Sequence, residues 1–118
     1  MRYVFLIYSQ ENEWDARTEE EQKATVDAYR EIAREASAKG ILEGADELQA
    51  ITAATTVRMR DGRALITDGP FAETKEQLGG YFILNCENLD EAIEWAQRFP
   101  TAQVGCIEIR PIVDNSGA

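Results

Sequence analysis

The chain contains no histidine among its 118 residues. That removes the side chain that most often serves as a general base near neutral pH and as a transition-metal ligand. Any site must be built from carboxylates, hydroxyls, amides, lysine and arginine. Cysteine is scarce too: Cys86 and Cys106 lie far apart, each inside an apolar stretch, with no spacing that signals a disulfide or a metal pair. The expectation is two buried, reduced thiols in a cytoplasmic protein. No metal and no redox cofactor is expected, because carboxylates alone hold only hard cations, and hold them weakly.

Long apolar runs are missing as well. The longest, Tyr3 to Tyr8, is far too short to cross a bilayer and gives way at once to "SQENEWD". With no small-residue cleavage site nearby, neither a signal peptide nor a membrane anchor is expected. Positive charge is short: 12 bases stand against 22 acids, for a net charge of −10. Nucleic acid and anionic membranes both require a cationic surface, so neither is an expected partner. What remains, 44% hydrophobic residues with 3 prolines and 8 glycines, describes a folded chain. We read residues 1–113 as one domain and 114–118, "DNSGA" after Val113, as a tail that frays.

The pattern then divides into elements. "RYVFLIY" (2–8) is β-branched and aromatic, and apolar on both alternating faces: Tyr3, Phe5 and Ile7 on one, Val4, Leu6 and Tyr8 on the other. Thr18 with Glu21 forms a capping-box pattern ahead of a helix whose stripe is Val26, Tyr29, Ile32, Ala33 and Ala36, ending at Gly40. Residues 41–49 read as a strand interrupted by Gly44. In "TVRMRDGRALIT" the pair Asp61-Gly62 separates two β-prone arms, a two-residue hairpin signal; the arms are weakly apolar and predict a protruding ribbon. "GYFILNC" (80–86) is a strand apolar on both faces. Asn88 with Glu91 caps a second helix, with Leu89, Ala92, Ile93, Ala96 and Phe99 as its stripe and Pro100 as its end. "VGCIEIRPI" (104–112) is the last strand.

Without the ribbon the order is β-α-β, β-α-β. This predicts an α+β fold of the ferredoxin-like kind, two helices on one face of an antiparallel sheet, with the β-hairpin inserted. Two helices cover one face, yet two strands are apolar on both. A second copy of the chain, sheet against sheet, is the economical cover, so a homodimer is expected.

The stretch "DGPFAETKEQLGG" (68–80) concentrates charge and glycine. Asp68 ends a strand and would ordinarily accept from the amide two residues on, but that residue is Pro70, which has none. Its carboxylate must reach Phe71 or beyond, or meet something else. Pro70 suits the first position of a short helical turn, with Glu73 in that turn. In one reading the stretch is a capped turn: Asp68 holds amides, Phe71 plugs the core and Lys75 pairs with an acid. In the other, Asp68, Glu73, Lys75 and Glu76 line a cleft. Crowded carboxylates raise one another's pKa, which makes a base without histidine. Gly79-Gly80 admits a ligand or a neighbouring backbone, or marks a bulge.

"TDGPFAETKEQLGGYFIL", with "TTVRMRDG" before it and "LDEAIEWA" and "IEIRP" after it, closely resembles the YCII-related family in its DGPF-motif branch. The resemblance runs from "MRYVFLIY" to "RPIV". It implies a dimeric α+β barrel of ferredoxin-like subunits. Some members of that family carry a His–Asp pair in a cleft, which this chain, lacking histidine, cannot supply. Members of the DGPF branch are often encoded beside, or fused to, extracytoplasmic-function sigma factors, which implies a regulatory or accessory role. The motif falls on Asp68, Gly69, Pro70 and Phe71, with Glu73, Thr74 and Lys75 behind it.

Arg58, Arg60 and Arg63 gather around the hairpin tip, where they either hold an anion or blunt an exposed ribbon. Arg110, before Pro111, fits a strand-end ion pair. Trp14 either lids a cleft or covers an edge, and Trp95, off the second stripe, is expected to be partly exposed or to contact a second subunit. There is no phosphate loop, zinc spacing or nucleophile elbow. Two functions follow. One is a small-molecule binding protein, transforming its ligand or not, with Asp68, Glu73 and Lys75 as candidate catalytic groups and Arg58, Gly69, Pro70 and Phe71 as candidate ligand contacts. The other is a non-catalytic module that works with a sigma factor.

Overall fold

In a computed structural model, which describes residues 1–115, the elements run β1 (Arg2–Ser9), α1 (Glu11–Asp15), α2 (Glu19–Ala38), β2 (Leu42–Glu47), β3 (Thr55–Arg60), β4 (Arg63–Asp68), β5 (Gln77–Asn85), α3 (Leu89–Gln97) and β6 (Cys106–Pro111). Short 3-10 turns occupy Ile51–Ala53 and Pro100–Gln103. Of the tail expected to fray, residues 116–118 lie outside the described residues. Four strands form one antiparallel sheet in the order β2-β5-β1-β6, and β3 and β4 form a separate two-stranded sheet. The fold is α+β.

Local signals set the helix ends. Thr18 and Glu21 exchange bonds, Thr18 Oγ1 accepting from the Glu21 amide and Glu21 Oε1 from the Thr18 amide, both at 3.1 Å. Asn88 Oδ1 accepts from the Glu91 amide at 3.0 Å and starts α3. The hairpin turn has φ of 52° at Asp61 and 75° at Gly62, the two left-handed residues that match the strand twist.

Strand alternation divides β1 between two environments. Tyr3 and Phe5, with Phe82 and Leu84 beside them on β5, are buried beneath Ile32 and Ala36 of α2 and Ala92, Trp95 and Ala96 of α3. At the hub is Phe99, fully buried, its ring 5.5 Å from Phe5, 4.9 Å from Phe82 and 5.5 Å from Tyr29. The other set, Val4, Leu6, Tyr81 and Ile83, is half-buried and takes no part in this core.

The second stripe departs from expectation in part: Ala92, Ala96 and Phe99 are buried as expected. Leu89 and Ile93 are 50% and 39% exposed, while Trp95 is buried rather than partly exposed. The set Ala92, Trp95, Ala96 and Phe99 has the same helical spacing and buries more apolar area. Lys39 and Arg98 lie over the Trp95 ring at 5.4 and 4.9 Å. A second departure is Cys106: Cys86 is buried as expected, but Cys106 is exposed on the open side of β6.

The molecule is flat, 48 × 47 × 19 Å, with a radius of gyration of 16.4 Å. A compact chain of this length has a radius of about 13–14 Å. The ribbon accounts for much of the difference: every residue of β4, and all of β3 but Thr56, is exposed.

Two predictions follow from the core. Phe99→Ala should cost about 3–5 kcal/mol, whereas Phe71→Ala, at a side chain 76% exposed, should stay within about 0.5 kcal/mol in urea unfolding. Tyr29 supplies a pH dependence. Its hydroxyl donates to Thr101 Oγ1 at 2.7 Å and accepts from the Thr101 amide at 3.3 Å. Burial foremost raises its pKa, partly opposed by those bonds. A phenol whose folded pKa exceeds its unfolded value of about 10 resists ionisation when folded, so stability is lost as pH rises above about 10. Urea midpoints of Tyr29→Phe should therefore fall less steeply than wild type from neutral to strongly alkaline pH; equal slopes would refute this assignment.

Candidate functional site

The end of β1 feeds directly into α1, and α1 is held from three sides. The Glu11 amide donates to Gln77 Oε1 at 3.0 Å, and Glu11 Oε2 accepts from the Ile51 amide at 3.0 Å. One residue thus ties α1 to the start of β5 and to the turn ahead of the ribbon. On the α2 side, Gln22 Nε2 donates to the Trp14 carbonyl at 2.9 Å, and Arg17 donates to Glu13 at 2.9 Å and to Thr25 Oγ1 at 3.0 Å. The Arg17 guanidinium lies 5.7 Å from the Trp14 ring centre. These contacts fix the Trp14 indole.

Beneath α1 lies a cavity of about 660 Å³. Its floor is Ile7, Phe82 and the pair Gly79-Gly80; its walls are Val26, Tyr29 and Ala33 of α2, Trp14 of α1 and the segment after β2. The glycines create the space. Going down β5 on the helix-covered face, Leu84 and Phe82 fill their places, and Gly80 supplies no side chain at the next one. It also has to be glycine: a Cβ there would stand 2.9 Å from the Asp46 carbonyl oxygen. Gly79 falls where the β1–β5 register slips between Ile7 and Tyr8. Both readings of this pair, a close backbone and a bulge, are realised.

Polar residues interleave with the apolar ones of the lining. Glu11, Asp15, Asp46 and Glu47 are the acidic residues of the lining, and Ser9, Thr25, Tyr29, Gln49, Gln77 and Thr101 its neutral polar ones. Arg30 is the guanidinium of the lining, and it makes no hydrogen bond or ion pair among the described residues. Such a cavity can hold an apolar body and orient a polar end. A second, shallower pocket of about 570 Å³, around Trp95, Lys39 and Arg98, is mostly polar.

The residues singled out in the DGPF stretch lie elsewhere. Asp68 closes β4 opposite Thr55, exposed, and its carboxylate meets no partner among the described residues. The Gly69 amide instead donates to the Ala54 carbonyl at 2.7 Å, and Thr56 Oγ1 to the Gly69 carbonyl at 2.8 Å. The expected helical turn from Pro70 does not form. Phe71 does not plug the core, and Lys75 pairs with no acid among the described residues. Arg58 approaches the Phe71 carbonyl at 3.5 Å, while Glu73 stands exposed. Of the charged stretch, only its end reaches the cavity: Thr74 Oγ1 donates to the Glu76 carbonyl at 2.5 Å and Gln77 Nε2 to the Thr74 carbonyl at 2.7 Å, which aims Gln77 at α1. None of Asp68, Gly69, Pro70, Phe71, Glu73, Lys75 or Arg58 lines the cavity.

Sequence reasoning missed α1 and the parts of Glu11, Gln77 and Thr101. No local pattern marks them, since each acts on a residue far along the chain. Trp14 does lie over the cleft, one of its two expected places. Arg110 pairs with Glu108 of its own strand at 3.0 Å. Cys106 Sγ lies 3.7 Å from Glu76 Oε1, and burial together with the Glu76 and Glu108 charges raises its pKa, which opposes thiolate formation. Among the described residues no three His, Cys, Asp or Glu side chains cluster to hold a metal. No described helix is long and apolar enough to cross a membrane.

Comparison with known proteins covers nearly the whole chain. The model of the YCII-related domain matches residues 1–116. An uncharacterised protein of Rhizobium meliloti (strain 1021), R00369, is 36% identical over 114 residues, which is 95% of this chain and 92% of that one. The chain belongs to the YCII-related family.

Proposed function

We propose that this protein binds a small organic molecule with an apolar body in the cavity beneath α1, and that it does so as a homodimer. The largely apolar surface of the cavity, with polar residues set among the apolar ones, carries the binding reading. Carboxylates outnumber the single guanidinium of the lining, which favours a neutral or cationic head group over an anionic one. The sheet order, read without the ribbon as second-third-first-fourth, fits the ferredoxin-like arrangement. The uncovered apolar row Val4, Leu6, Tyr81 and Ile83 supports pairing of two such sheets into a dimeric α+β barrel. The run Asp68 to Phe71 supports a reading within the DGPF branch, and two thiols outside any disulfide are compatible with the cytoplasm.

A thermal-shift series with phenethylamine, phenethyl alcohol and phenylpropionate tests the binding reading. The amine and the alcohol should raise Tm by mass action on the folded state, and the carboxylate should not. Ala33→Phe, which fills the cavity, should remove the shift. Asp68→Asn should leave it unchanged; if Asp68→Asn abolishes it, the DGPF loop with Glu73 and Lys75 is part of the site and the cavity alone is the wrong seat. If no probe shifts the wild type, the binding reading fails. The sigma-factor module is then the surviving reading, to be tested by pull-down.

A further inference from the structure

We propose that the paired hydroxyls of Tyr29 and Thr101 are a polar anchor of the cavity beneath α1, and that they take a neutral carbonyl oxygen of the ligand. The inference rests on the binding reading above and names the group by which the ligand is held. Both residues line the cavity, Tyr29 from α2 and Thr101 from the 3-10 turn at Pro100–Gln103. Both are fixed from behind. The Tyr29 ring lies 5.9 Å from Phe82 and edge-on to Phe99 at 5.5 Å. The Thr101 carbonyl accepts from the Val104 amide at 3.1 Å and from the Gly105 amide at 2.7 Å, and the turn follows directly on the fully buried Phe99.

A count of protons leaves one donor over. The pair brings a proton on each hydroxyl and one on the Thr101 amide. The amide donates to Tyr29 Oη at 3.3 Å, and the phenol donates to Thr101 Oγ1 at 2.7 Å. The Thr101 hydroxyl proton then meets no acceptor among the described residues. Exchanging the roles of the hydroxyls does not change the count, since a single proton lies between the two oxygens; the phenol proton is then the one left over. Both hydroxyls keep their protons at neutral pH, because burial foremost raises the Tyr29 pKa above its ordinary value of about 10.

The surroundings select the acceptor. The pair is part-buried beside two aromatic rings, where a hydroxyl proton without a partner is costly. The Arg30 guanidinium, by contrast, is exposed and within reach of solvent. Thr25 and Gln77 spend their polar atoms on Arg17 and Glu21 and on Glu11 and Thr74. The acidic residues of the lining disfavour an anionic acceptor. A protonated amine has donors only and must turn to those carboxylates instead. A carbonyl accepts and brings no proton of its own, so it completes the pair without leaving another group unmet. The ligand class is therefore a neutral ketone or ester on an apolar body.

Isothermal titration with benzylacetone and with butylbenzene, the same carbon chain without the carbonyl, tests the anchor. The double variant Tyr29→Phe with Thr101→Val removes both hydroxyls, and Thr101→Ser keeps them. The ratio of ketone to hydrocarbon affinity should be about tenfold higher in the wild type and in Thr101→Ser than in the double variant. Comparing ratios cancels the difference in how readily the two probes leave water. The infrared carbonyl stretch of benzylacetone bound to the wild type should lie below its position in hexane, and should return there in the double variant. If the double variant fails to fold, Arg30→Ala decides: the bound stretch should stay low, and its return to the hexane position would make Arg30 the donor and overturn the anchor. A ratio equal in the wild type and the double variant, a low ratio in Thr101→Ser, or a wild-type stretch at the hexane position also overturns it, and leaves the cavity a binding site. If neither probe binds the wild type, the binding reading and the anchor fall together.

Discussion

A central strand that is apolar on both faces is the constraint from which the rest of the structure follows. β1 runs between β5 and β6, and its apolar side chains alternate between a buried face and a half-buried one. On one side α2 and α3 provide the cover, and the aromatic hub of Phe5, Tyr29, Phe82 and Phe99 fills the middle with tilted and edge-on rings. On the other side Val4 and Leu6 lie beside Ile83 and Tyr81, with polar residues only at the rim. The helices cover one face only, and the other face stays half-buried in the single chain.

The same economy leaves the cavity. Tight packing continues along β5 as far as Phe82 and then stops at two glycines, one needed for the approach of the Asp46 carbonyl and one absorbed by a register slip. A short helix closes over the resulting space because Glu11 and Gln77 bind one another at its edge. α1 has only five residues and no side-chain cap, too few to stand by itself. Its position is a tertiary product, held by Gln22 of α2, by Arg17 of the link between α1 and α2, and by Gln77 from the sheet. The DGPF loop takes part at second hand, by fixing the start of β5 from which Gln77 projects.

Electrostatics does little to hold the fold. These ion pairs are exposed or half-exposed: Lys23–Asp27 and Arg34–Glu31 lie along α2, Arg98–Glu35 joins the end of α3 to α2, and Arg2–Glu43 joins β1 to β2. Such pairs contribute about 0–1 kcal/mol each. Charge matters instead as a field, with an acidic body and a cationic ribbon on one chain.

What the sequence determined by itself was whatever depends on neighbours along the chain. The capping box at Thr18 and Glu21, the Asn88 cap, the Asp61-Gly62 turn and the two-sided apolar strands were all legible, because the residues that make each feature lie within a few positions of one another. The stripe of α3 was legible only as a period. Leu89-Ala92-Ile93-Ala96-Phe99 and Ala92-Trp95-Ala96-Phe99 are equally helical, and the sheet chose the one that buries the Trp95 ring. The reading of Pro70 as a helix start failed because Ala54 and Thr56, brought across by the ribbon neck, hold the backbone at Gly69 instead. The cavity belonged wholly to the tertiary structure. Glu11 meets Ile51 across 40 positions and Gln77 across 66, and Tyr29 meets Thr101 across 72. No local pattern encodes such meetings, since they exist only once the strands are in register.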